Sequence, residues 1–530
     1  MIRVQNLKLK PNEEKEMLLE KACKKLRLDK KSVLKWKIVK QSLDARKKGN
    51  IFFIYTVDVK VEHESRLLRT IKDKDVAKAM DVEYTLPAGE ASMEKRPIVV
   101  GFGPAGMFAA LSLCQMGLKP IVLERGRNVD QRTADVEKFW KDGILDIASN
   151  VQFGEGGAGT FSDGKLTARS KDIRCKKVFT EFVNYGAPKE ISYVHNPHIG
   201  TDKLRDVVKN IRESIVSMGG EIRFEARLTD IEIKNNAVAT VEINGSERLE
   251  CSDIVLAIGH SARDTFEMLY DKGVDIRQKP FAIGARIEHK QAVIDKAQFG
   301  EFAGEKNLGH ADYKFTYRTK AGRSTYTFCM CPGGFVVAAS SEENMVAVNG
   351  MSYYSRDGEN ANSALLVQIN EDDFGSKHPL AGMYFQRDLE KKAFELGGKN
   401  YNAPVQKVGD FLRGEKSTAI GEVKNTYAPD VKCSDLNQLF PEFMAEAMKE
   451  AIVAIGKRFK GFDDENALLT AVESRSSSPI RLERNLETGE SINVFGLYPT
   501  GEGAGYAGGI VSAAVDGILT AERIFEKYRL

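Results

Sequence analysis

The stretch PIVVGFGPAG, residues 97–106, decides the fold of this chain of 530 residues. The apolar run Ile98–Val100 is typical of a short buried strand, and glycines spaced G-x-G-x-x-G follow it at once. A helix is predicted from about Met107 onward, and a second apolar run, Ile121–Leu123, comes after it. This order of strand, glycine turn, helix and strand predicts a βαβ unit that opens a parallel sheet.

Each glycine of this turn has a physical role in a site for a dinucleotide pyrophosphate. Gly101 turns the chain out of the strand, Gly103 leaves the backbone open to a phosphate, and Gly106 lets the helix pack closely. The helix N-terminus adds unpaired N–H groups and a partial positive charge. Glu124, after the second strand, is placed to bind an adenosine ribose; its charge would repel a 2′-phosphate, which favours FAD or NAD over NADP. The alternative is a tightly packed turn that binds nothing.

A second glycine cluster, residues 154–159, also fits G-x-G-x-x-G, but we do not interpret it as a second dinucleotide fingerprint. No buried strand precedes it, and the following residues, 160–165, favour a loop. Such a loop can still place backbone N–H groups along a cofactor, with Thr160, Ser162 and Lys165 as polar contacts. The alternative is an irregular surface loop.

A third glycine cluster, residues 499–509, lies between a strand at 493–498 and a helix at 510–526. It predicts another helix N-terminus directed at a ligand, with Glu502 available for ribityl hydroxyl groups. The alternative is a glycine-rich helix start that serves close packing. The first and third clusters are far apart in sequence, which suits a long, extended cofactor such as FAD.

The pattern along the chain predicts the α/β class: a split Rossmann-like FAD-binding domain with an inserted β-rich domain and a small N-terminal α+β domain. Helices are expected around 175–185 and 201–218. The predicted units are an N-terminal domain at 1–80, a linker at 81–96, the first part of the FAD-binding domain at 97–275, an inserted substrate domain at 276–460 and the C-terminal part of the FAD-binding domain at 461–530.

Composition and charge narrow the class of protein. Apolar residues make up 42% and charged residues 29% of the chain, which excludes a disordered protein, and seven cysteines do not suggest a disulfide framework. Without an apolar run long enough for a membrane span or a secretory signal, we expect a cytoplasmic protein. The first fifty residues carry 16 Lys and Arg against 6 Asp and Glu. This basic segment is either a solvated surface or a contact for RNA or an acidic protein.

Other groups that could carry chemistry are few, and we assign no catalytic residue and no metal site. Cys329 and Cys331 could form a redox pair, but positions i and i+2 of an extended strand lie about 6.6 Å apart, at the long end for a disulfide. One of three histidines could act as an acid or base, or could be a local hydrogen-bonding residue: His195, His198 and His260. Arg475 and Arg481 could hold a substrate carboxylate or form structural ion pairs.

Taken together, the motifs resemble the bacterial FAD-dependent dehydrogenase family, whose members are largely uncharacterised flavoproteins of the glutathione-reductase-like superfamily. The resemblance runs over nearly the whole chain and rests on VVGFGPAG, IVLERG, FGEGGAGTFSDGKL, PHIGTDKL, VLAIGHSARDTF, KPFAIGARIEH, CMCPGG, NGMS, ESRSSSPIR and GLYPTGEGAGYAGGI. It implies bound FAD, with residues 226–228 beside the adenine. The residues that we assign to the cofactor are Gly101, Phe102, Gly103, Pro104, Ala105, Gly106, Glu124, Arg125, Gly157, Ala158, Gly159, Thr160, Ser162, Lys165, Leu228, Ala257, Ile258, Gly259, Gly501, Glu502, Ala507, Gly508, Gly509 and Ile510.

These observations predict an FAD-dependent oxidoreductase that transfers a hydride between an organic substrate or NAD(P)H and flavin N5. The small-molecule substrate and the electron acceptor are not specified, NAD(P)H is a possible partner, and no membrane partner is expected. The alternative is a flavin-carrying RNA-binding or RNA-modifying factor that uses the basic N-terminal domain. A third hypothesis is an NAD-binding regulatory module without turnover. The pattern gives no oligomeric state.

Overall fold

The computed structural model describes residues 1–80, 83–167 and 170–530 and has the predicted α/β class. The first two residues of the predicted linker, Asp81 and Val82, lie outside the described residues, as do Ala168 and Arg169. The rest of the linker packs along the last helix of the chain. The Tyr84 hydroxyl donates to the Glu522 carboxylate, and the Ser92 N–H donates to Tyr528 O at 3.1 Å.

The N-terminal residues form a four-stranded sheet in the order β2 (Lys35–Asp44), β3 (Phe52–Lys60), β1 (Ile2–Leu9) and β4 (Val76–Lys78), covered by a helix. One apolar face of the sheet packs on Leu18, Ala22 and Leu26 of that helix. Strand β2 was not predicted from the sequence. Its edge pairs with a loop of the next unit, because the Gln41 N–H donates to Tyr193 O at 2.7 Å. The elements are β1 (Ile2–Leu9), α1 (Met17–Leu26), β2 (Lys35–Asp44), β3 (Phe52–Lys60), α2 (Glu64–Thr70) and β4 (Val76–Lys78).

The glycine turn at residue 101 follows the central strand of a five-stranded parallel sheet. The next elements along the chain supply four of its strands, a three-stranded antiparallel layer and the helices around them. They are β5 (Ile98–Val100), α3 (Pro104–Gln115), β6 (Ile121–Leu123), α4 (Val129–Asp142), α5 (Arg174–Asn184), α6 (Thr201–Ser217), β7 (Glu221–Arg223), β8 (Leu228–Lys234), β9 (Ala237–Ile243), β10 (Glu247–Glu250), β11 (Ile254–Leu256) and α7 (Arg263–Asp271).

A second, seven-stranded sheet follows in the chain. Its longest ladder pairs Phe281–Lys290 with Asn360–Ile369 over all ten residues of each strand. The elements are β12 (Ile276–Gln278), β13 (Phe281–Lys290), α8 (Gln291–Phe299), β14 (Thr316–Arg318), β15 (Ser324–Cys331), β16 (Phe335–Ala338), β17 (Val348–Met351), β18 (Asn360–Ile369), α9 (Ala381–Gly397), β19 (Ala403–Lys407), α10 (Val408–Arg413), β20 (Val431–Cys433), α11 (Glu442–Gly456), β21 (Leu468–Glu473) and β22 (Ile480–Leu482).

The chain then returns to the parallel sheet with β23 (Leu497–Pro499) and ends in α12 (Ile510–Tyr528), which gives the strand order β23-β11-β5-β6-β7. The order of the second sheet is β14-β15-β18-β13-β21-β19-β20, so this sheet extends to Glu473, beyond the boundary that we predicted at residue 460. The last strand of this sheet along the chain, β21, lies between β13 and β19 and is buried along its whole length.

Alternating side chains divide the parallel sheet into two buried faces. Val99 packs with α3, α6 and α12, whereas Ile98 and Val100 pack with the antiparallel layer β8–β10 and with α7. Three-residue strands of β-branched and aliphatic side chains suit a parallel sheet that is covered on both sides. In the described residues, no helix is both long and apolar enough to cross a membrane.

Candidate functional site

The first two glycine clusters lie against each other at the N-terminus of α3. A Cβ built on Gly157 would lie 2.9 Å from Gly103 Cα, which is too close for a larger residue, and Gly157 has a φ of 63°. The Gly156 N–H donates to Phe102 O at 2.8 Å, which joins the two turns directly. The loop at 154–159 therefore packs directly against the first turn and is not a separate surface loop.

The third cluster closes on the same turn from the other side. A Cβ on Gly501 would lie 2.6 Å from Ala105 Cβ, and one on Gly503 would lie 2.2 Å from Gly259 O. Gly101 in turn has a φ of 93° and lies against Ala257, whose carbonyl oxygen a Cβ would approach to 2.4 Å. Four segments that are distant in the sequence thus meet in close contact around the first turn, an arrangement that suits an extended ligand.

Two helix N-termini face open space within this cluster. The N-cap residues Gly103 of α3 and Gly509 of α12 supply no side-chain cap. A Cβ on Gly103 would meet only Gly157 Cα, at 3.6 Å, and Cβ atoms on Gly508 and Gly509 would meet nothing within 4 Å. Packing of the protein itself therefore does not demand glycine at these positions. The space that side chains would fill, and the N–H groups of the first helical turns beside it, fit the phosphates and ring system of a dinucleotide.

The Glu124 carboxylate holds the turns together. Its two oxygens accept hydrogen bonds from the backbone N–H groups of Phe102 at 2.8 Å, Gly126 at 2.9 Å and Gly154 at 3.0 Å, and the side chain is buried. Because a carboxylate accepts about four hydrogen bonds, this arrangement leaves capacity for a ribose hydroxyl. The role of Glu124 as a brace between loops was not predicted from the sequence.

We expect replacement of Glu124 by Ala to loosen the first two glycine turns. Three buried N–H groups would lose their acceptor, at a cost of about 1–3 kcal/mol for each group left unsatisfied. Hydrogen exchange at the amides of Phe102, Gly126 and Gly154 should then become much faster. Glu124→Gln, which keeps one acceptor oxygen, serves as the control and should show an intermediate effect. Unchanged exchange at these amides in Glu124→Ala would contradict the bracing role.

A cavity of about 630 Å³ opens beside the end of β6. Arg125 lies at its wall, where its guanidinium pairs with Asp264 at 2.8 Å and stacks on the Phe153 ring at 4.3 Å. Further along the wall, the backbone from Glu225 to Arg227 connects β7 to β8, and the Ala226 N–H donates to Glu124 O at 2.9 Å. The buried Leu228 follows at the start of β8. The cavity therefore adjoins the predicted adenosine end.

The polar residues predicted beyond the second glycine cluster have other contacts. The Thr160 hydroxyl is buried and donates to Glu155 O at 3.4 Å, and the Ser162 hydroxyl donates to Gly159 O at 2.7 Å. Lys165 Nζ donates to Met330 O at the end of β15. The first two hydroxyl groups therefore shape their own loop, whereas Lys165 connects that loop to the second sheet.

Glu502 and His260 are ionisable groups near the third glycine cluster with shifted pKa values. Burial raises the pKa of Glu502 to about 7, although Lys279 opposes the shift. Burial and the nearby guanidiniums of Arg475 and Arg263 lower the pKa of His260 to about 3. At neutral pH the Glu502 carboxyl is thus balanced between its two protonation states, and the His260 imidazole is neutral.

The other residues proposed for acid–base or carboxylate chemistry lie in different settings. His195 is exposed, and His198 stacks on the Tyr354 ring with a pKa that burial lowers to about 4. Arg475 pairs with the buried Glu390, at 2.8 Å from Nη2 to Oε2, so it forms the structural ion pair. Arg481 lies over the Tyr506 ring at 5.1 Å.

Two buried residues that support the turns were missed by the sequence reasoning. Arg132 on α4 donates to the carbonyl oxygens of Asn150, Val151 and Glu155, at 2.6–2.9 Å. Asp516 on α12 accepts the Gly501 N–H at 2.7 Å and pairs with Arg484. An arginine or aspartate within a helix gives no signal for such a role, because its partners are backbone atoms of distant loops.

Comparison with known proteins gives a family for the chain. Residues 280–476 match the family described as FAD-dependent protein, C-terminal domain-like, and residues 1–60 match a domain of unknown function (DUF8436). An uncharacterized protein of Clostridium beijerinckii is 51% identical over 532 residues, which covers 100% of this chain and 99% of that protein.

Two solved structures illustrate the structural neighbours. The halogenase PltM in complex with phloroglucinol and FAD covers 81% of this chain and 67% of its own, with 10% identity and a TM-score of 0.36. A geranylgeranyl bacteriochlorophyll reductase-like protein of Thermoplasma acidophilum covers 82% and 79%, with 11% identity and a TM-score of 0.35. With TM-scores this low, neither likeness bears on the function of this chain.

Proposed function

From the premise that the chain belongs to the family of the Clostridium beijerinckii protein, with the C-terminal domain of FAD-dependent proteins and FAD as its cofactor, we propose that it is an FAD-dependent oxidoreductase. The observation that carries this proposal is the meeting of four glycine segments around two uncapped helix N-termini. The parallel sheet with its flanking layers would be a split FAD-binding domain, and the seven-stranded sheet an inserted substrate domain.

Each open space in the site suggests which residues would hold one part of FAD. The N–H groups at Gly103 and the start of α3 would bind the pyrophosphate, with Glu124 for the ribose hydroxyl groups. The cavity beside Arg125, with the backbone of 226–228, would take the adenosine end. The N-terminus of α12, with Gly508 and Gly509, would lie at the flavin end.

FAD, when bound, supplies two-electron chemistry, and the chain's own groups set the charge and protons around it. The partial positive charge at the N-terminus of α12 favours negative charge beside it. Glu502 can hold or release a proton at neutral pH because its pKa is raised to about 7. The neutral imidazole of His260 can donate or accept a hydrogen bond without adding charge.

Anaerobic absorbance measurements on the full-length protein test the proposal. We expect a yellow protein whose flavin absorbance bleaches with one member of a panel of NADH, NADPH and small oxidisable metabolites, and returns with an electron acceptor. Failure of the protein to bind added FAD would overturn the proposal that it is an FAD-dependent oxidoreductase. Binding of FAD with no bleaching by any reductant, including dithionite, would equally remove the redox role.

A second prediction concerns the protonation of Glu502. Its folded-state pKa of about 7 lies above the value for an unfolded chain, so the folded state holds the proton more tightly. The resulting stabilisation is present at low pH and is lost as pH rises from about 4.5 to about 7. We expect the thermal midpoint of the apoprotein to fall over this range more in the native protein than in Glu502→Gln. Parallel pH profiles would show that this carboxyl does not carry the shift.

A further inference from the structure

Strand β15 ends in an irregular segment that carries two cysteines. The register with β18 shifts between Phe328 and Cys331, and Cys329 has a left-handed φ of 43°. The extended spacing that argued against a pair therefore does not apply, because the bulge rotates Cys329 out of the regular strand. Cys331 Sγ instead turns back onto the bulge and donates to Cys329 O at 3.3 Å.

Two cationic side chains fix this bulge. Arg286 on β13 donates from Nη1 to Cys329 O at 2.8 Å while its other nitrogens bind Glu473 and Asn349. Lys165, from the loop that follows the second glycine cluster, donates to Met330 O. The pair is therefore held in place by the second sheet and connected directly to the loop of the cofactor site.

The two thiols differ in reactivity. Cys331 is fully buried, whereas Cys329 is partly exposed. The neighbouring Cys331 thiol lowers the pKa of Cys329 to about 6, and the positive charges of Arg286 and Lys165 act in the same direction. Burial and the negative charge of Asp163 oppose this shift. The pKa of Cys331 is raised well above its ordinary value by the neighbouring Cys329 thiol and by burial. This asymmetry matches an attacking thiolate and a resolving thiol.

We propose that Cys329 and Cys331 form a redox-active dithiol that exchanges electrons with disulfide substrates. The Cys329 thiolate attacks one sulfur of a substrate disulfide, its S–S bond breaks, and one thiolate leaves and takes up a proton. The Cys331 sulfur, losing its proton, then attacks Cys329 Sγ and releases the second thiol. One substrate disulfide becomes two thiols, and the pair becomes an intramolecular disulfide.

The return of the oxidised pair to the dithiol needs reduced FAD, so this part of the assignment rests on the proposed function. The electron pair needed to break the Cys329–Cys331 disulfide would come from reduced FAD, and two protons would complete the thiols. In the reverse direction, the dithiol would be oxidised and FAD reduced. A disulfide or dithiol is thus the class of redox partner that the structure assigns to the flavoprotein.

In the described residues, no group of three or more His, Cys, Asp and Glu side chains is arranged to hold a metal ion.

The first test uses an aromatic disulfide, 5,5′-dithiobis(2-nitrobenzoate), and peptide mass spectrometry on the reduced full-length protein. Native protein should give an intramolecular disulfide between Cys329 and Cys331, without a stable adduct. Cys331→Ser should retain a mixed disulfide on Cys329, and Cys329→Ser should leave the buried Cys331 unmodified. Cys433, a partly buried cysteine on β20, is the internal control and should react about tenfold more slowly than Cys329 at neutral pH.

A persistent adduct on Cys329 in the native protein, or no reaction there, would overturn the dithiol assignment whatever the flavin does. The second test adds dithiothreitol anaerobically to protein that carries FAD. Bleaching in the native protein, with at least a tenfold slower rate in Cys329→Ser, is expected; equal rates would overturn the link to FAD. Failure to bind FAD would overturn only the proposed function, because the first test does not use the flavin.

Discussion

Replacement of Gly103 by Asp is expected to weaken FAD binding severely and leave the folded apoprotein intact. Gly103 has a φ of −77° and a ψ of −176°, which any residue adopts, and a Cβ there has room. Aspartate is also a preferred N-cap, so α3 should become slightly more stable. Its carboxylate would nevertheless face the pyrophosphate: two like charges about 4 Å apart repel by about 4 kcal/mol at an effective dielectric constant of 20, or roughly 10³-fold in affinity.

FAD titration and thermal unfolding of the apoprotein check this prediction together. Gly103→Asn is the matched control, because it has nearly the same size and capping ability without the charge. We expect Asn to weaken FAD binding much less than Asp, with both apoproteins unfolding at or above the native midpoint. Native FAD affinity in Gly103→Asp would show that the pyrophosphate does not lie at this helix N-terminus.

The second large effect is expected from Glu390→Gln, which removes the charge at the centre of a buried cluster. Glu390 is fully buried and accepts hydrogen bonds from Arg263 at 2.7 and 2.8 Å and from Arg475 at 2.8 and 3.0 Å. Although burial opposes it, the two guanidiniums hold the pKa of Glu390 well below its usual range. Loss of the carboxylate leaves the two buried guanidiniums with Glu342 as their one remaining anionic partner, so we expect about 3–5 kcal/mol of destabilisation.

Denaturant unfolding followed by the fluorescence of Trp140 measures this effect. Trp140 donates to Ala338 O across the boundary between α4 and β16, and the chain's other tryptophan, Trp36, can be replaced by Phe in all variants. Glu446→Gln, which breaks an exposed pair with Lys449, is the control and should cost less than about 1 kcal/mol. An equal cost for both variants would show that the buried cluster does not stabilise the fold.

The sequence predicted the local elements around the candidate site. The turn at residues 101–106 lies between its strand and its helix as expected because the three are consecutive, and α6 at Thr201–Ser217 follows the expected periodicity. The site could not be completed in this way. The contacts of Glu124 with three turns, and of Arg132 with the loop at 150–155, depend on tertiary packing that no periodic pattern records.

The cysteine pair shows where a local rule failed. Spacing on an ideal strand separates positions 329 and 331, but a register shift and a left-handed residue let Cys331 Sγ turn back onto the carbonyl oxygen of Cys329. Strand β2 was missed because none of its side chains is buried, and its edge position leaves all of them partly or fully accessible. In both cases the neighbouring strand determines the geometry.

Hydrogen exchange during titration with FAD tests most directly whether the early and late glycine clusters hold one cofactor. The account predicts that amides at the start of α3 and at the start of α12 become protected together and saturate at one equivalent of FAD. AMP, which lacks the flavin, should protect only α3 and the cavity beside Arg125. Protection of one helix start alone, or of the second only after further FAD is added, would contradict the central claim.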